Sequence, residues 1–434
     1  MKRRLWGRLL IIGGLALTGT RGWAEATPAQ KDLGMTMLRR CKTMLQDEYY
    51  DPTLGGFDLE GRCQEAEKRI ATAADNAAIF RIVAEVFLNL GDPHTRFIAP
   101  PRAARVDYGW QAVTVGDGCY VYRLVAKSDA VKKGLAFGDR IESVNGLAAN
   151  RQTWPILAYL FNSLDPQGGL RVVAVSPAGE RRQLDLQAEV KPRARVLDPN
   201  SAEYWQLVLR AEADIDRWDD QFAWVDDVLV WRLRRFDNDP ASLNEGAGRL
   251  AKAKSLVLDL RGNDGGSKEK LLEMLALIFD HPVQVGTIRT RGKEAPLAAA
   301  PAARPFRGMV IAVVDAQTGA AAEICARMLQ LEDRGVVVGD RTAGDLRSGK
   351  FVISMVGTNG VPFAMAVTTA RMVMRDGQTL DGGVAPDLPL IPTGADMARR
   401  SDPALAKALA QVAKKFTPEE AGKLLPWKLP AGEL

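Results

Sequence analysis

The segment that decides the fold is Val310-Ile-Ala-Val-Val-Asp-Ala-Gln-Thr-Gly-Ala-Ala-Ala-Glu-Ile-Cys-Ala-Arg-Met-Leu-Gln330. Its first five residues are an unbroken apolar run, which is typical of a strand buried on both faces. Turn residues follow, and apolar side chains then recur at helical spacing. The pattern predicts a buried strand over Met309–Val314 that leads directly into a helix over Ala320–Leu331.

The same alternation of strand and helix continues on both sides of this segment. Upstream, Leu256-Val-Leu-Asp-Leu-Arg-Gly-Asn-Asp-Gly-Gly266 is a second buried strand that ends in a glycine-rich turn. Glycines after a strand allow backbone amides to point at an oxyanion. Such alternation is typical of an α/β domain with a layered sheet. The predicted strands are Val228–Leu233, Ser255–Leu260, Met309–Val314 and Gly335–Gly339, and the predicted helices are Glu269–Phe279 and Ala320–Leu331.

The remaining regions differ in character. Residues 30–90 repeat apolar side chains at spacings of three and four and are predicted to be helical, apart from a turn at 51–56. Residues 106–190 instead contain short β-like runs with turn signals between them. Lys191–Ser201 contains two prolines and is predicted to be a connector, whereas Asp402–Phe416 is predicted to be a last amphipathic helix.

Composition excludes several classes of protein. The 434 residues contain 58 Lys and Arg against 53 Asp and Glu, so the net charge is only +5. Because no basic stripe with interleaved aromatic residues is present, we do not expect a nucleic-acid partner. His94 and His281 are the only histidines, which argues against a zinc site built on histidines. We expect neither a metal nor a cofactor.

The N-terminus is typical of a secretory signal. Lys2, Arg3, Arg4 and Arg8 precede the apolar stretch Leu9–Leu17, which is too short to span a bilayer as a stable helix. Small residues in Gly22-Trp-Ala24 favour cleavage before Glu25. The alternative is an uncleaved anchor. We therefore expect an exported protein, periplasmic or extracellular, that has no stable membrane span after the signal is cleaved.

The four cysteines bear on the redox chemistry. Cys41 and Cys63 flank the turn between two predicted helices, and export permits disulfides, so a bridge between them is a candidate. Cys119 and Cys325 lie in apolar patterns and are expected to be buried thiols. No cysteine has a C-x-x-C partner, which argues against redox catalysis.

Residues 106–150 resemble a PDZ module. The motifs that carry this resemblance are Ala130-Val-Lys-Lys-Gly-Leu135 and Phe137-Gly-Asp-Arg-Ile-Glu-Ser-Val-Asn-Gly146. Such modules add a peptide strand to a sheet edge and capture its terminal carboxylate with loop amides. The resemblance implies that peptide contacts come from Tyr108, Gly109, Trp110 and Gln111. The family's usual Gly-Leu-Gly-Phe-like loop is replaced here, so a small β domain without a ligand is the alternative.

The chain as a whole resembles the carboxyl-terminal processing, or tail-specific, serine peptidases. Their "D-L-R-x-N-x-G-G" segment matches Asp259–Gly266, and their "T-G-S-A-A-E" segment matches Thr318–Glu323. Further matches are Gly339, Thr342 and Gly344, the closing Gly383-Val-Ala-Pro-Asp387, and Gly91-Asp-Pro-His-Thr95. The resemblance covers roughly residues 30–392.

This resemblance places alanine where the family has its nucleophilic serine, at Ala320. The general-base lysine of one family branch falls on Asp345. In the branch that resembles the tricorn core protease, the base is a histidine in a "D-x-H-T"-like motif, which implies His94 here. Asp381 is the nearest candidate for the carboxylate that orients it. The backbone amides of Ala321 and of Gly265 or Gly266 would form the oxyanion hole.

Four interpretations of Ala320 remain open. The chain is a natural pseudoprotease that binds peptides without cutting them, or alanine has been introduced in place of a former serine. Alternatively, Thr318, or Ser348 with Lys350, supplies a substitute nucleophile, or the register of the resemblance is wrong. His94 also has a purely structural alternative, in which it packs or caps a helix end.

The resemblance implies an α/β crotonase-like core with an inserted PDZ-like β domain and an N-terminal helical region. The predicted domains are a signal peptide at 1–24, the helical region at 25–100, the PDZ-like domain at 101–192, the peptidase-family core at 193–400, and a C-terminal helix and tail at 401–434. The expected partners are the C-terminal segments of exported proteins. The family activity is serine-type proteolysis, which the residues at positions 320 and 345 put in doubt.

Overall fold

The computed structural model describes residues 26–102, 104–192, 220–236, 240–358 and 360–426. The predicted signal peptide and most of the predicted connector Lys191–Ser201 lie outside the described residues. Three helices come first, each with a side-chain cap from Thr27, Asp58 or Asp75. They are α1 (Pro28–Glu48), α2 (Leu59–Ala71) and α3 (Asn76–Leu88). The helical prediction for this region is confirmed, with one further break before Asp75.

The predicted bridge between Cys41 and Cys63 is not formed. Both are free, buried thiols on the packed helices α1 and α2. A disulfide requires Cβ atoms about 4 Å apart in a specific orientation, and sequence spacing cannot impose that geometry. Burial raises the pKa of the Cys63 thiol to about 11, so both residues behave as small apolar side chains.

An antiparallel β domain follows the helices. Its main sheet has the order β3-β4-β5-β7-β8, and β6 pairs with β5. The first and last strands of the domain, β2 and β9, pair with each other as a separate two-stranded ribbon. The strands are β2 (Ala104–Asp107), β3 (Trp110–Val115), β4 (Gly118–Leu124), β5 (Arg140–Val144), β6 (Leu147–Ala148), β7 (Gly169–Val175), β8 (Arg181–Gln187) and β9 (Glu189–Pro192), with helices α4 (Asp129–Lys132) and α5 (Trp154–Tyr159) between them.

The core contains a six-stranded sheet in the order β10-β11-β12-β15-β16-β19, in which all pairs except β10–β11 are parallel. Its strands are β10 (Gln221–Val225), β11 (Val228–Arg232), β12 (Ser255–Asp259), β15 (Met309–Val314), β16 (Gly335–Gly339) and β19 (Leu388–Pro389). Helices α6 (Pro240–Leu250), α7 (Lys268–Ile278) and α8 (Ala321–Leu331) connect them. Because β12 and β15 are parallel neighbours, the turns that follow them emerge at the same edge of the sheet.

A second sheet brings the N-terminal region to this edge. It contains β1 (Arg96–Ile98), β13 (Val283–Thr290), β14 (Lys293–Ala299), β17 (Arg347–Val356) and β18 (Val361–Met374). Strand β1 pairs with β18, and the buried hydroxyls of Thr95 and Thr368 lie 3.2 Å apart beside that pairing. His94 directly precedes β1 and is therefore carried to the core.

Three short helices end the described chain: α9 (Gly394–Arg399), α10 (Pro403–Gln411) and α11 (Pro418–Leu424). The predicted helix Asp402–Phe416 is too long, because the backbone leaves the helix at Ala413, where φ is 58°. The start of α10 is tied to the core by an ion pair between Asp402 and Arg261, which also binds the fully buried Asp259.

Candidate active site

The turn after β15 places Ala320 at the start of helix α8. The Asp315 carboxylate accepts hydrogen bonds from the amides of Gln317 and Thr318, which closes a tight turn. Ala320 then adopts φ 45° and ψ −115°, a conformation that residues with a Cβ rarely adopt. Strained backbone of this kind is concentrated at functional sites.

The glycine-rich turn after β12 lies directly against Ala320. The Gly319 amide donates to the carbonyl of Asn263 at 2.8 Å, so the predicted contact between the two turns is confirmed. A Cβ on Gly265 would lie 2.6 Å from the Ala320 Cβ and 3.1 Å from the Ala321 nitrogen. Only glycine leaves this space open.

The amides predicted for the oxyanion hole differ in their availability. The Gly265 amide donates to the side-chain oxygen of Asn263 at 2.9 Å, so it is already used, and Gly265 acts as a spacer. The Ala320 amide donates to Glu323 at 3.1 Å. Ala321 is the first residue of helix α8, where an amide has no partner within the helix. Ala321 and Gly266 therefore remain the candidates for binding an oxyanion.

Glu323 was not among the predicted site residues, although it organises the turn. One carboxylate oxygen accepts from the Thr342 hydroxyl and the Gly344 amide, and the other from the amides of Ala320 and Asp345. The side chain is fully buried, and this burial raises the pKa of Glu323 despite the four donors. Its position three residues after Ala320, typical of a capping box, is the sequence signal that identifies it.

His94 joins the cluster through Asp345. The Asp92 carboxylate holds the loop by accepting from the His94 amide at 3.0 Å. The His94 Nε2 lies 2.7 Å from Asp345 Oδ2, at ion-pair distance. The geometry does not meet the criteria for a hydrogen bond, because the N–H of His94 is poorly directed at the carboxylate. Burial lowers the pKa of His94, but Asp345 and Asp92 more than offset this and raise it above its usual range. The backbone amides of Asp345 and Ala320 donate to the same Glu323 oxygen, so Asp345, which contacts His94, belongs to the same site as Ala320.

Asp381 does not orient His94. Its carboxylate forms ion pairs with Arg347, at 3.0 Å, and with Arg371. The two guanidinium groups hold Asp381 on the outer side of the cluster, and Asp345 takes the contact with the imidazole. The prediction of Asp381 as the orienting carboxylate is therefore not supported by the contacts.

The substitute nucleophiles are poorly placed. Thr318 is fully buried, and its hydroxyl donates to the Leu260 carbonyl at 2.9 Å. Lys350 forms an ion pair with Glu48 at 2.7 Å, and Ser348 lies exposed on β17 opposite Ala370. The Thr318 hydroxyl also lies 3.1 Å from Asp315 Oδ1, but its complete burial keeps it away from a substrate.

Comparison with known proteins identifies the core. Residues 227–390 match peptidase family S41. The chain is 24% identical over 353 residues to carboxyl-terminal-processing peptidase 1, chloroplastic, of Arabidopsis thaliana, covering 74% of this chain and 64% of that protein. It is 23% identical over 318 residues to a carboxy-terminal-processing protease of Bartonella bacilliformis, covering 68% of this chain and 66% of that protein. The chain thus spans slightly less than two thirds of the length of these relatives.

Solved structures show the same fold. Mature CPAF superposes with a TM-score of 0.64 at 16% identity, covering 85% of this chain and 94% of that one. The photosystem II D1 C-terminal processing protease superposes with a TM-score of 0.50 at 19% identity, covering 89% and 97%. Ala320, Glu323 and Asp345 all lie inside the matched S41 segment, whereas His94 comes from outside it.

The β domain contacts the S41 segment beside the site. The Thr114 carbonyl of β3 accepts from Gln317 Nε2 at 2.9 Å, and the Gly116 amide donates to Asp340 at 2.8 Å. Arg151 also binds Asp340, at 3.2 Å, and the carbonyls of residues 341 and 342. One end of β3, together with Arg151, therefore meets the turn after β15 and the segment that follows β16.

The predicted peptide-binding loop lies at the other end of β3, along a cavity of about 560 Å³. Tyr108 is buried, and its hydroxyl donates to the Phe161 carbonyl at 3.1 Å. The Gly109 amide donates to Asp107, and the Gln111 side chain accepts from the Tyr122 hydroxyl. The structure thus places all four predicted residues at the cavity or beside it, but the Gly109 amide is already used.

Metal ligands and membrane-spanning helices are two further features to consider in the described residues. Across the described ranges, no group of three or more His, Cys, Asp or Glu side chains is arranged to hold a metal ion. Within the same ranges, no helix combines the length and apolarity that crossing a membrane requires.

Proposed function

We propose that this chain is an exported, periplasmic or extracellular, tail-binding protein of the S41 type that captures the C-terminal segments of other exported proteins without cutting them. The observation that carries the proposal is Ala320. It occupies a strained turn at a helix start, opposite Gly265, where a methyl group cannot attack a carbonyl. The proposal includes a PDZ-like β domain and a crotonase-like core.

The geometry of β3 supports delivery of a bound tail towards the site. The Val121 amide donates to the Asp139 carbonyl and therefore points away from β3. Its partner Ala112 consequently turns its own amide and carbonyl towards the open edge of the sheet, where the carbonyl already accepts from Trp154 Nε1 at 3.1 Å and the amide faces the cavity edge. A peptide strand added antiparallel to this edge, with its C-terminus at the loop 108–111, would direct its upstream residues towards Gln317 and Asp340.

The state of the remaining site also favours binding over hydrolysis. A general base has to be neutral to accept a proton, whereas Asp345 stabilises the charged form of His94. The start of helix α8 also favours a negatively charged group, such as the carboxylate of a peptide, because its first amides carry partial positive charge.

The test combines hydrolysis and binding. The purified chain is incubated with an unstructured polypeptide that an unrelated serine peptidase cuts in the same buffer, and products are measured by mass spectrometry. We expect no cleavage above the rate in buffer alone. Peptides with free apolar C-termini should bind in titration calorimetry, and their amidated forms should bind more weakly. Cleavage that a serine-reactive reagent inhibits would refute the inactive site, and equal affinity for both peptide forms would refute carboxylate capture.

A further inference from the structure

The cavity of the β domain contains an unusual pair of indoles. It lies between the edge of β3 and helix α5, which contribute Trp110 and Trp154 to its lining. The two rings are 6.1 Å apart and inclined by 40°. Leu157 and Phe161 add apolar surface, and a volume of about 560 Å³ is within the usual range for ligand sites.

The two indole N–H groups differ in their partners. Trp154 Nε1 donates to the Ala112 carbonyl at 3.1 Å, across the open edge of β3. Trp110 is 9% exposed, and in the part of the chain that the structure describes its buried Nε1 has no hydrogen-bond acceptor. Because buried donors in proteins are nearly always paired, this N–H is a candidate donor to a group that enters the cavity.

The backbone amide of Gly109, in the loop before β3, is not available to bind the carboxylate of a peptide. The Gly109 amide donates to Asp107 Oδ1 at 2.9 Å, and the second oxygen of Asp107 is bound by Lys191 at 3.0 Å. Asp107 thus already supplies a carboxylate to this amide. A peptide terminus in the cavity has to find its hydrogen bonds elsewhere.

We propose that the indole N–H of Trp110 is the donor that binds the terminal carboxylate of a captured peptide, in the place of the Gly109 amide. The inference rests on the proposed function, from which it takes the class of ligand. The apolar and aromatic lining favours a terminus whose last residues are apolar.

The test uses N-acetylated hexapeptides with apolar residues varied at the last three positions, each prepared as the free acid and as the carboxamide. Calorimetric titration of the purified chain should show that Trp110→Phe weakens binding of the free acids by about ten- to a hundredfold, the usual effect of losing a hydrogen bond to a charged group. Binding of the carboxamides should weaken less. Trp154→Phe is the matched control: it removes the other indole N–H of the cavity, so any change in affinity should be equal for the free acids and the carboxamides.

A second measurement covers the case in which Trp110→Phe does not fold. The Trp110 indole ¹H–¹⁵N resonance of the unmodified chain should move downfield when a free-acid peptide is added. No movement, or an equal loss of affinity for acids and carboxamides, would overturn the role of Trp110 and leave peptide capture intact. If no free acid binds the unmodified chain, peptide capture itself fails.

Discussion

A serine at position 320 should not by itself make this chain an efficient peptidase. The histidine that would serve it is held by Asp345, with Nε2 and Oδ2 2.7 Å apart. Burial lowers the pKa of His94, but Asp345 and Asp92 together raise it. The charged form of the imidazole, which cannot accept the proton of a serine hydroxyl, is therefore more stable here than in a free histidine.

The magnitude follows from this pairing. Each unit by which a pKa is raised lowers the neutral fraction about tenfold at pH values below it. In a serine peptidase, losing the base costs about as much as losing all three catalytic residues, on the order of a millionfold in turnover. Because Asp345 already occupies the Nε2 of His94, Ala320→Ser by itself should turn over substrate well below the variant that also carries Asp345→Ala. Adding Asp345→Ala should raise turnover by about 10²- to 10⁴-fold, the usual contribution of a positioned base.

The assay is hydrolysis of an unstructured polypeptide followed across a range of pH. The rate of Ala320→Ser should rise with pH as His94 loses its proton. In the double variant the rise should occur at lower pH, since the pKa of His94 falls without its carboxylate partner. Ala320→Ser with Asp345→Asn is the matched control, because it removes the charge but keeps the side-chain volume and the backbone bond to Glu323.

Two results would refute this reasoning. The first is efficient cleavage by Ala320→Ser alone at neutral pH, which would mean that Asp345 does not restrain His94. The second is the same pH profile for the single and double variants, which would mean that another group acts as the base.

Three further predictions concern stability in urea unfolding. The ion pair with Asp345 raises the pKa of His94 in the folded state, so it stabilises the fold while His94 is protonated. Asp345→Asn should therefore lower the free energy of unfolding most at pH values below the unfolded pKa of about 6.5. The difference from the unmodified chain should disappear as the pH rises through the folded pKa of His94. Glu323→Gln should lower the free energy of unfolding by about 3 kcal/mol, because two of the four donors lose their acceptor; an unchanged midpoint would contradict this network. Asp402→Ala should cost about 2–4 kcal/mol, since it removes both the ion pair with Arg261 and the helix cap. Asp402→Ser should recover about 1 kcal/mol of that loss by restoring the cap; equal losses would show that the cap contributes nothing.

Local elements were predictable where one physical signal dominated. The predicted strands Met309–Val314 and Gly335–Gly339 agree with the structure at both ends, because unbroken apolar runs between turn residues have few alternatives. The end of the predicted helix Asp402–Phe416 was wrong, because its apolar spacing continues past the point where the backbone turns at Ala413. Helix ends depend on local backbone geometry that periodicity does not record.

The tertiary structure makes β12 and β15 parallel neighbours, which brings the turns after them together at Asn263 and Gly319. The sequence by itself determined the order of strands and helices. It also determined that position 320 has no hydroxyl. Only the tertiary structure decided which carboxylate faces His94. Asp345 and Asp381 are both aspartates in sequence, and Arg347 contacts both, at 3.5 Å and 3.0 Å. Asp381 also pairs with Arg371, whereas the hydrogen bond from the Asp345 amide to Glu323 holds Asp345 at the imidazole. Pairing of this kind depends on distances between segments far apart in the chain, which no local pattern contains.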